Sequence, residues 1–480
     1  MCAKRYVSVV WLSTPLRLLC IAYVVTVALL AYDYGTEIFF DSPPNYTGAT
    51  LLDRAMWLVR GENIYTSDIS RLPFTVNMYG PVYFLLQYPF LVFSGPTFLY
   101  GELFSVASHV ISAFFAGLIM KRLTGNTMSA AITGLVVLAS PFVCGIVPLY
   151  RVDVLAQALS LAGIYTGITA KTRRMDCLSA LLFAAAIYTK LTYALAGPAT
   201  VFFFHVCQRE KKKALVQGAL LAGISGLVFG VCQWITAGGF FFNIIIANML
   251  HYSLGSALER VSSLLFLSLG ACAVIPELWR RKVLLPDAAR FASMYLVFAT
   301  IASMALGRAG SGFWYGSELE VALAFVFGVA TTPIPDDKKK MGNNGWMLAI
   351  QLIIYWGMLG HSPYHMSLRS TYKAEVPRIK EIIAATDGPI LADDYIGLLA
   401  QAGRPIYFEP TSMTQLYYAG RWSQEPFLTE LRKGTFAVIL MTKTATPNTH
   451  RWTRAMMEAI HERYYVASSI GDTEVWRKKE

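Results

Sequence analysis

Arg151 and Asp153 stand two residues apart, and Lys190 follows further along, each at the end of a segment otherwise apolar enough to cross a bilayer. Ionisable side chains beside the hydrocarbon core are costly to keep, so a functional reading comes first. Cations so placed can stabilise negative charge developing at a membrane surface. A carboxylate there can take a proton or orient a reacting hydroxyl. The basic runs Lys171 to Arg174, Lys211 to Lys213, Arg280 to Lys282 and Lys338 to Lys340 mark the cytoplasmic face by the positive-inside rule, and Arg151, Asp153 and Lys190 fall on the opposite face. Plainer readings stand beside this one. Residues two apart do not face each other on a helix, so Arg151 and Asp153 make no simple local pair, though either can anchor a span. Lys190 also fits a lysine snorkelling to the interface. Glu318 suits the start of a helix on dipole grounds as well as a binding role. The aromatic residues Phe240, Phe241, Phe242, Trp314 and Tyr315 fit either an interface belt or a sugar platform.

The elements that must position these residues follow from composition. Of 480 residues, 55% are hydrophobic and only 15% charged, which describes a polytopic membrane protein. The net charge of +11 sits in short loops between apolar spans and forms no single stripe, which reads as topology and excludes nucleic acid as a partner. The seven cysteines lie mostly in or beside apolar segments and show neither a disulfide framework nor metal-finger spacing. Lys4 and Arg5 precede an apolar run that lacks a small-residue cleavage site, so an uncleaved first span is expected.

A span needs about 20 apolar residues. The candidates are Leu16 to Tyr32, Gly101 to Met120, Met128 to Val147, Val154 to Ala170, Leu178 to Tyr188, Leu191 to Val206, Ala214 to Thr236, Val261 to Leu278, Ala288 to Gly307, Glu318 to Thr332 and Trp346 to Gly360. Counting Tyr79 to Phe98 as a crossing would put every later basic loop outside, and Pro81, Pro89 and Pro96 interrupt it, so it is expected to lie in the outer interface. The expectation is a polytopic α-helical membrane protein of about eleven transmembrane helices, N-terminus inside and C-terminus outside. Residues 1–361 form the membrane domain, including a first external loop at 33–78 and the interfacial segment 79–98. Residues 362–480 form a small extracytoplasmic α/β domain, in which helix-like runs (Glu375 to Ala385, Gln424 to Lys433, Trp452 to Ile460) alternate with strand-like ones (Pro389 to Leu391, Pro405 to Phe408, Phe436 to Met441, Tyr464 to Ser468). Asp393 and Asp394 after such a strand read more readily as a turn than as a metal pair.

Five stretches in order then resemble the GT-C superfamily of polyprenyl-phosphate-dependent glycosyltransferases. They are Arg60-Gly61-Glu62-Asn63-Ile64-Tyr65, Tyr79-Gly80-Pro81-Val82-Tyr83, Arg151-Val152-Asp153, Tyr188-Thr189-Lys190 and the run Gly310 to Glu318. The likeness is to the family 39-like branch, which includes protein mannosyltransferases and lipid A aminoarabinose transferases. In the tail, Gly403-Arg404-Pro405-Ile406-Tyr407 and Ala419-Gly420-Arg421-Trp422 resemble the C-terminal domain of its bacterial members. The resemblance implies transfer of a sugar from a polyprenyl-phosphate donor, held in the membrane lipid, to an extracytoplasmic acceptor. It casts Arg151, Lys190, Arg260 and Arg308 as donor-phosphate residues, Asp153, Asp41 and Asp53 as the candidate catalytic carboxylates, and Tyr315 and Glu318 as substrate-binding. Members of the family usually carry an acid early in the first external loop, where this chain reads Asn45-Tyr46-Thr47-Gly48. The resemblance names no certain cofactor and leaves a divalent cation open. A non-catalytic subunit of a glycan assembly complex and a secondary transporter or flippase are the alternatives.

Overall fold

The computed structural model describes residues 14–38, 46–140, 147, 149–334, 338–360, 363–443 and 451–480. Its longer helices ahead of the tail, in chain order, are α1 (Thr14–Ile38), α2 (Tyr46–Val59), α3 (Val82–Ser94), α4 (Leu99–Thr124), α5 (Thr127–Ala139), α6 (Asp153–Thr169), α7 (Arg173–Ile187), α8 (Ala196–Cys207), α9 (Lys211–Ile235), α10 (Leu254–Leu267), α11 (Pro286–Ser303), α12 (Ser317–Ala330) and α13 (Lys338–Gly360). Five helical stretches among the described residues are long and apolar enough to cross a membrane, or six if a bent pair counts as one span. The protein is thus an integral multi-pass membrane protein. The expected count of eleven goes beyond this, because α5, α6, α7 and α8 have 13, 17, 15 and 12 residues.

What separates the spans is which faces they bury. In α12 every residue is buried, because Ser-Glu-Leu-Glu-Val-Ala-Leu-Ala-Phe-Val-Phe-Gly-Val-Ala is apolar all round after its first turn, and such a helix belongs at the centre of a bundle. Phe325 packs edge-on against Phe291 (5.3 Å) and Tyr295 (5.5 Å) of α11. In contrast, α9 is as apolar but buries only Ala214 and Gln217, with Leu227 and Trp234 open. Its surface is one for lipid.

The run Val261 to Leu278, expected as one span, is broken. The chain turns by 80° between α10 and the stretch Leu269–Arg281. Gly270 meets α13 so closely that a Cβ there would lie 2.4 Å from the Met347 carbonyl oxygen. The backbone groups freed at the bend are taken by Gln351, whose Nε2 donates to the Leu267 carbonyl (3.0 Å) while its Oε1 accepts from the Ala271 amide (3.4 Å). A bend inside an apolar bundle requires such a side chain. The segment expected at the interface forms the short helix α3, with Pro89 inside it and exposed Leu85, Val92 and Phe93.

The tail forms one four-stranded sheet in the order β1 (Ile390–Ala392), β2 (Val438–Thr442), β4 (Thr473–Lys478), β3 (Tyr464–Ile470), with β1 parallel to β2 and the other pairs antiparallel. Two strand expectations are corrected. Pro405 to Phe408 contributes only a single bridge from Phe408 to Phe74, and the inner strand β4 had not been expected because Glu474, Arg477 and Lys478 make it look like a charged end. The first loop is sewn to this unit. The Phe74 amide donates to the Tyr407 carbonyl (2.8 Å), Trp422 Nε1 donates to the Ile69 carbonyl (2.9 Å), and the Phe74 ring packs on Trp422 and Phe427.

Candidate active site

Asp153 opens α6, where the helix N-terminus favours a carboxylate. Lys190 sits in extended backbone just after α7, ahead of a 3₁₀ turn at Leu191–Ala194. The two meet across the α6–α7 hairpin. Asp153 Oδ1 pairs with Lys190 Nζ, and its Oδ2 accepts from Arg151 Nε at 3.2 Å. All three are buried, at 1%, 4% and 4% exposure for Asp153, Lys190 and Arg151. The expectation that Arg151 and Asp153 do not meet as helix neighbours is corrected, because Arg151 lies before the helix and folds back onto it. An ion pair kept in such surroundings contributes little net stability, since desolvation offsets its attraction.

The aromatic residues roof the charges. Arg151 stacks 4.1 Å above the Trp314 ring, and Lys190 Nζ lies 3.7 Å from the centre of Tyr315. Desolvated cation–π contacts of this kind are worth about 2 kcal/mol each. Arg308 Nη2 donates to the Tyr315 hydroxyl (2.6 Å), and its Nη1 reaches Asn248 Oδ1. The roof depends on glycine at 312, where a Cβ would strike the Trp314 ring at 2.2 Å. Tyr79 completes the group from the first-loop side, with Arg151, Asp153, Arg308 and Tyr315 in electrostatic reach. Burial raises its hydroxyl pKa, so it stays protonated and able to donate. Its loop can approach because residue 80 is glycine, since a Cβ there would lie 1.9 Å from the Tyr188 carbonyl oxygen.

Glu318 is the second residue of α12, buried beside Tyr295 and within reach of Lys190, and its Oε1 meets no hydrogen-bond donor among the described residues. The structure thus brings together Arg151, Asp153, Lys190, Arg308, Tyr315 and Glu318. Arg260 is elsewhere engaged, its Nη1 donating to the Leu306 (2.9 Å) and Ser311 (3.0 Å) carbonyls and to the Ser311 hydroxyl (2.8 Å), which holds the turn that carries Arg308. Asp41 lies outside the described residues. Sequence reasoning weighed Trp314 between an interface belt and a sugar platform and did not single out Tyr79 or Asn248 as site residues. Tyr79 lies inside a quoted motif, and Asn248 carries no signal of its own.

Asp53 does not join the cluster. It is buried where α2 meets the tail, and its carboxylate accepts from the Ile406 amide. Burial pushes its pKa up to about 6, against Arg54 and Arg60, which pull it down. With the folded value raised, the protonated form favours folding. The stability it contributes is full below about pH 4 and is lost as pH rises through 6, an effect of about 3 kcal/mol. Asp53→Asn is therefore expected to raise the thermal midpoint at pH 7.5, with little change at pH 4.5, and to leave any transfer activity intact. A midpoint unchanged at pH 7.5 would remove the buried-charge account, and lost activity in a folded protein would restore Asp53 as a candidate base.

In the tail, the Asp393 carboxylate accepts from the Thr442 amide and hydroxyl, from Trp452 Nε1 and from the Asp394 amide, and Asp394 pairs with Arg451 Nη2 at 2.6 Å. These two acids tie β1 and β2 to the chain at Arg451 and Trp452. Among the described residues no group of three or more His, Cys, Asp and Glu side chains is placed to hold a metal ion.

The fold is shared with solved structures of ArnT and of the oligosaccharyltransferase AglB. It is similar to solved structures of ArnT from Cupriavidus metallidurans. The structure bound to undecaprenyl phosphate has a TM-score of 0.63 at 14% identity, and the apo state 0.65 at 13%, each alignment covering 94% of this chain and 97% of that one. It is also similar to the oligosaccharyltransferase AglB from Archaeoglobus fulgidus in complex with an inhibitory peptide and a dolichol-phosphate, with a TM-score of 0.52 at 11% identity over 97% of this chain and 74% of that one. No family model and no curated protein matches the chain. At these identities the likeness is one of fold.

Proposed function

We propose that the protein is a membrane glycosyltransferase that moves a sugar from a polyprenyl-phosphate donor to an acceptor outside the cytoplasm. The observation that carries the reading is the buried pair Arg151 and Lys190 around the Asp153 carboxylate, with the half-buried Arg308 joined to them through Tyr315 and Trp314 over Arg151. Arg151 and Lys190 share the one carboxylate, and Arg308 adds a third cation held only by the neutral Asn248 and Tyr315, so positive charge exceeds what Asp153 balances and the group leaves a place for an anion. A departing phosphate ester on a lipid supplies that anion, and preorganised cations in a dry site stabilise its charge as the glycosidic bond breaks. The fold shared with ArnT bound to undecaprenyl phosphate and with AglB in complex with a dolichol-phosphate supports a donor of that class.

In this reading Lys190 and Arg308 hold the phosphate, Arg151 neutralises it from the far side, and Tyr315 fixes both cations. Asp153 aims the cations, since each of its oxygens is already engaged by one. Glu318, with an oxygen left without a donor, meets sugar or acceptor hydroxyls. Positive-inside counting over eleven spans would put the tail and the first loop on the non-cytoplasmic face. An impermeant thiol reagent is expected to label Gly388→Cys in intact cells, and labelling only after permeabilisation would reverse the orientation.

Incubating purified protein with radiolabelled polyprenyl-phosphate sugars tests the function. Transfer or hydrolysis of at least one donor is the expected result. Donor binding without turnover across all sugars would favour the non-catalytic subunit, a reading that Thr47 supports by standing where the resemblance leads one to look for an acid.

A further inference from the structure

The bend after α10 carries the short helix Pro276–Arg281 across the end of the bundle where the basic runs gather. One side of that helix is pinned inward. Arg281 is 2% exposed, donates Nη1 to the Val329 carbonyl (3.0 Å) and to that of Thr332 at the end of α12, and pairs with Glu277 at 3.4 Å. With Arg281 fixed inside, Trp279 and Lys282 are turned out. Trp279 is 72% exposed, and Lys282 Nζ lies 5.0 Å from the centre of its ring.

Between this helix, the last residue of α8 and the first turns of α11 lies an open cavity of about 300 Å³, walled by Leu278, Trp279, Ala289 and Met294 with Lys282 and Arg290 on its lining. The neighbouring Val283 and Leu284 are 77% and 61% exposed, as expected of side chains in a bilayer. The carboxylates of the same turn do not cancel the two cations. Glu277 is taken by Arg280 (2.7 Å) and Arg281, and Asp287 stands 3.9 Å from Arg290 in an exposed pair of little strength.

We propose that this cavity binds an anionic phospholipid, with an acyl chain against Leu278, Trp279 and Met294 and the phosphate between Lys282 and Arg290. Charge complementarity selects the headgroup, and the apolar wall selects a lipid over a free anion. The site lies on the opposite end of α8 and α11 from the Lys190 and Arg308 cluster, and it does not depend on the transfer reading.

Native mass spectrometry of the full-length protein, released from neutral detergent with phosphatidylglycerol or phosphatidylcholine, tests it. Phosphatidylglycerol is expected to bind more tightly. The double variant Lys282→Ala, Arg290→Ala is expected to lose that preference by roughly 10-fold or more, at about fivefold per basic residue, with phosphatidylcholine binding unchanged. Both side chains are exposed, so the fold should persist. Met294→Trp, which fills the cavity and keeps the charges, supplies an independent arm and should lower phosphatidylglycerol binding as well. Equal binding of the two lipids, full binding by both variants, or displacement of phosphatidylglycerol by millimolar inorganic phosphate would overturn the proposal.

Discussion

Lys190→Ala is expected to lower sugar transfer by about 10²- to 10³-fold, the usual cost of deleting one preorganised group that stabilises developing charge. The size follows from where the ammonium sits. It is 4% exposed, held between the Asp153 carboxylate and the face of Tyr315, and charge interactions in such a setting are far stronger than at a wet surface. A cation that holds the phosphate before and during bond breaking is felt in both states, so the loss should divide between apparent donor affinity and turnover. Lys190→Arg is expected to recover little, because a guanidinium is bulkier than the ammonium that fits between the Tyr315 ring and Asp153 in this buried place. Arg308→Ala should cost less, since Arg308 is only half-buried and Lys190 remains. Steady-state transfer with a fixed acceptor and varied donor measures all three. Lys190→Ala activity within a few-fold of the parent protein would remove Lys190 from the site and leave the snorkelling reading.

How much of this was legible beforehand differs from element to element. The charges at 151, 153 and 190 stood out because each interrupts an apolar stretch, where an ionisable residue has few structural reasons to be. Their sidedness came from basic loops that are themselves a physical signal. The Arg151 to Asp153 pair was not legible, because helix geometry forbids it and only the fold-back of the residues before α6 allows it. Glu318 read equally as a helix-dipole residue, and only burial with an unmet oxygen distinguishes the two. Asp53 shows the opposite failure. Its place in the first external loop suggested an open acid, but the tail that covers it lies hundreds of residues away, and long-range docking leaves no local trace. The bend after α10 was hidden for the same reason, since Gln351, which satisfies the broken backbone, belongs to another helix. Strand β4 was hidden by charges that point outward from an inner strand, while its buried Val475 and Trp476 carry the packing.

Asp153→Asn separates a base from a positioning carboxylate, and the double variant Asp153→Asn, Arg151→Gln makes the separation sharp. Replacing the carboxylate leaves Arg151 and Lys190 buried without their counter-charge, which typically destabilises by about 3 to 5 kcal/mol. A lower thermal midpoint is therefore expected for the single variant. Removing Arg151's charge at the same time deletes one of the two cations that Asp153 had balanced, so the double variant should regain much of the midpoint. Activity should not follow. Both oxygens of Asp153 are engaged, one by Lys190 and one by Arg151 at 3.2 Å, so in this arrangement Asp153 aims cations. The expected result is transfer down by about 10²-fold or more in both proteins, with the fall lying chiefly in apparent donor affinity, because misaimed cations hold the phosphate poorly. A lost general base would instead lower turnover with donor affinity intact and flatten the acidic limb of the pH profile, typically by about 10²- to 10⁴-fold. If the double variant regains activity together with stability, the carboxylate serves the fold alone and the cations need no aiming. If donor affinity is unchanged while turnover collapses, Asp153 takes the proton itself, and the cations around it are there to keep it ionised until the acceptor arrives.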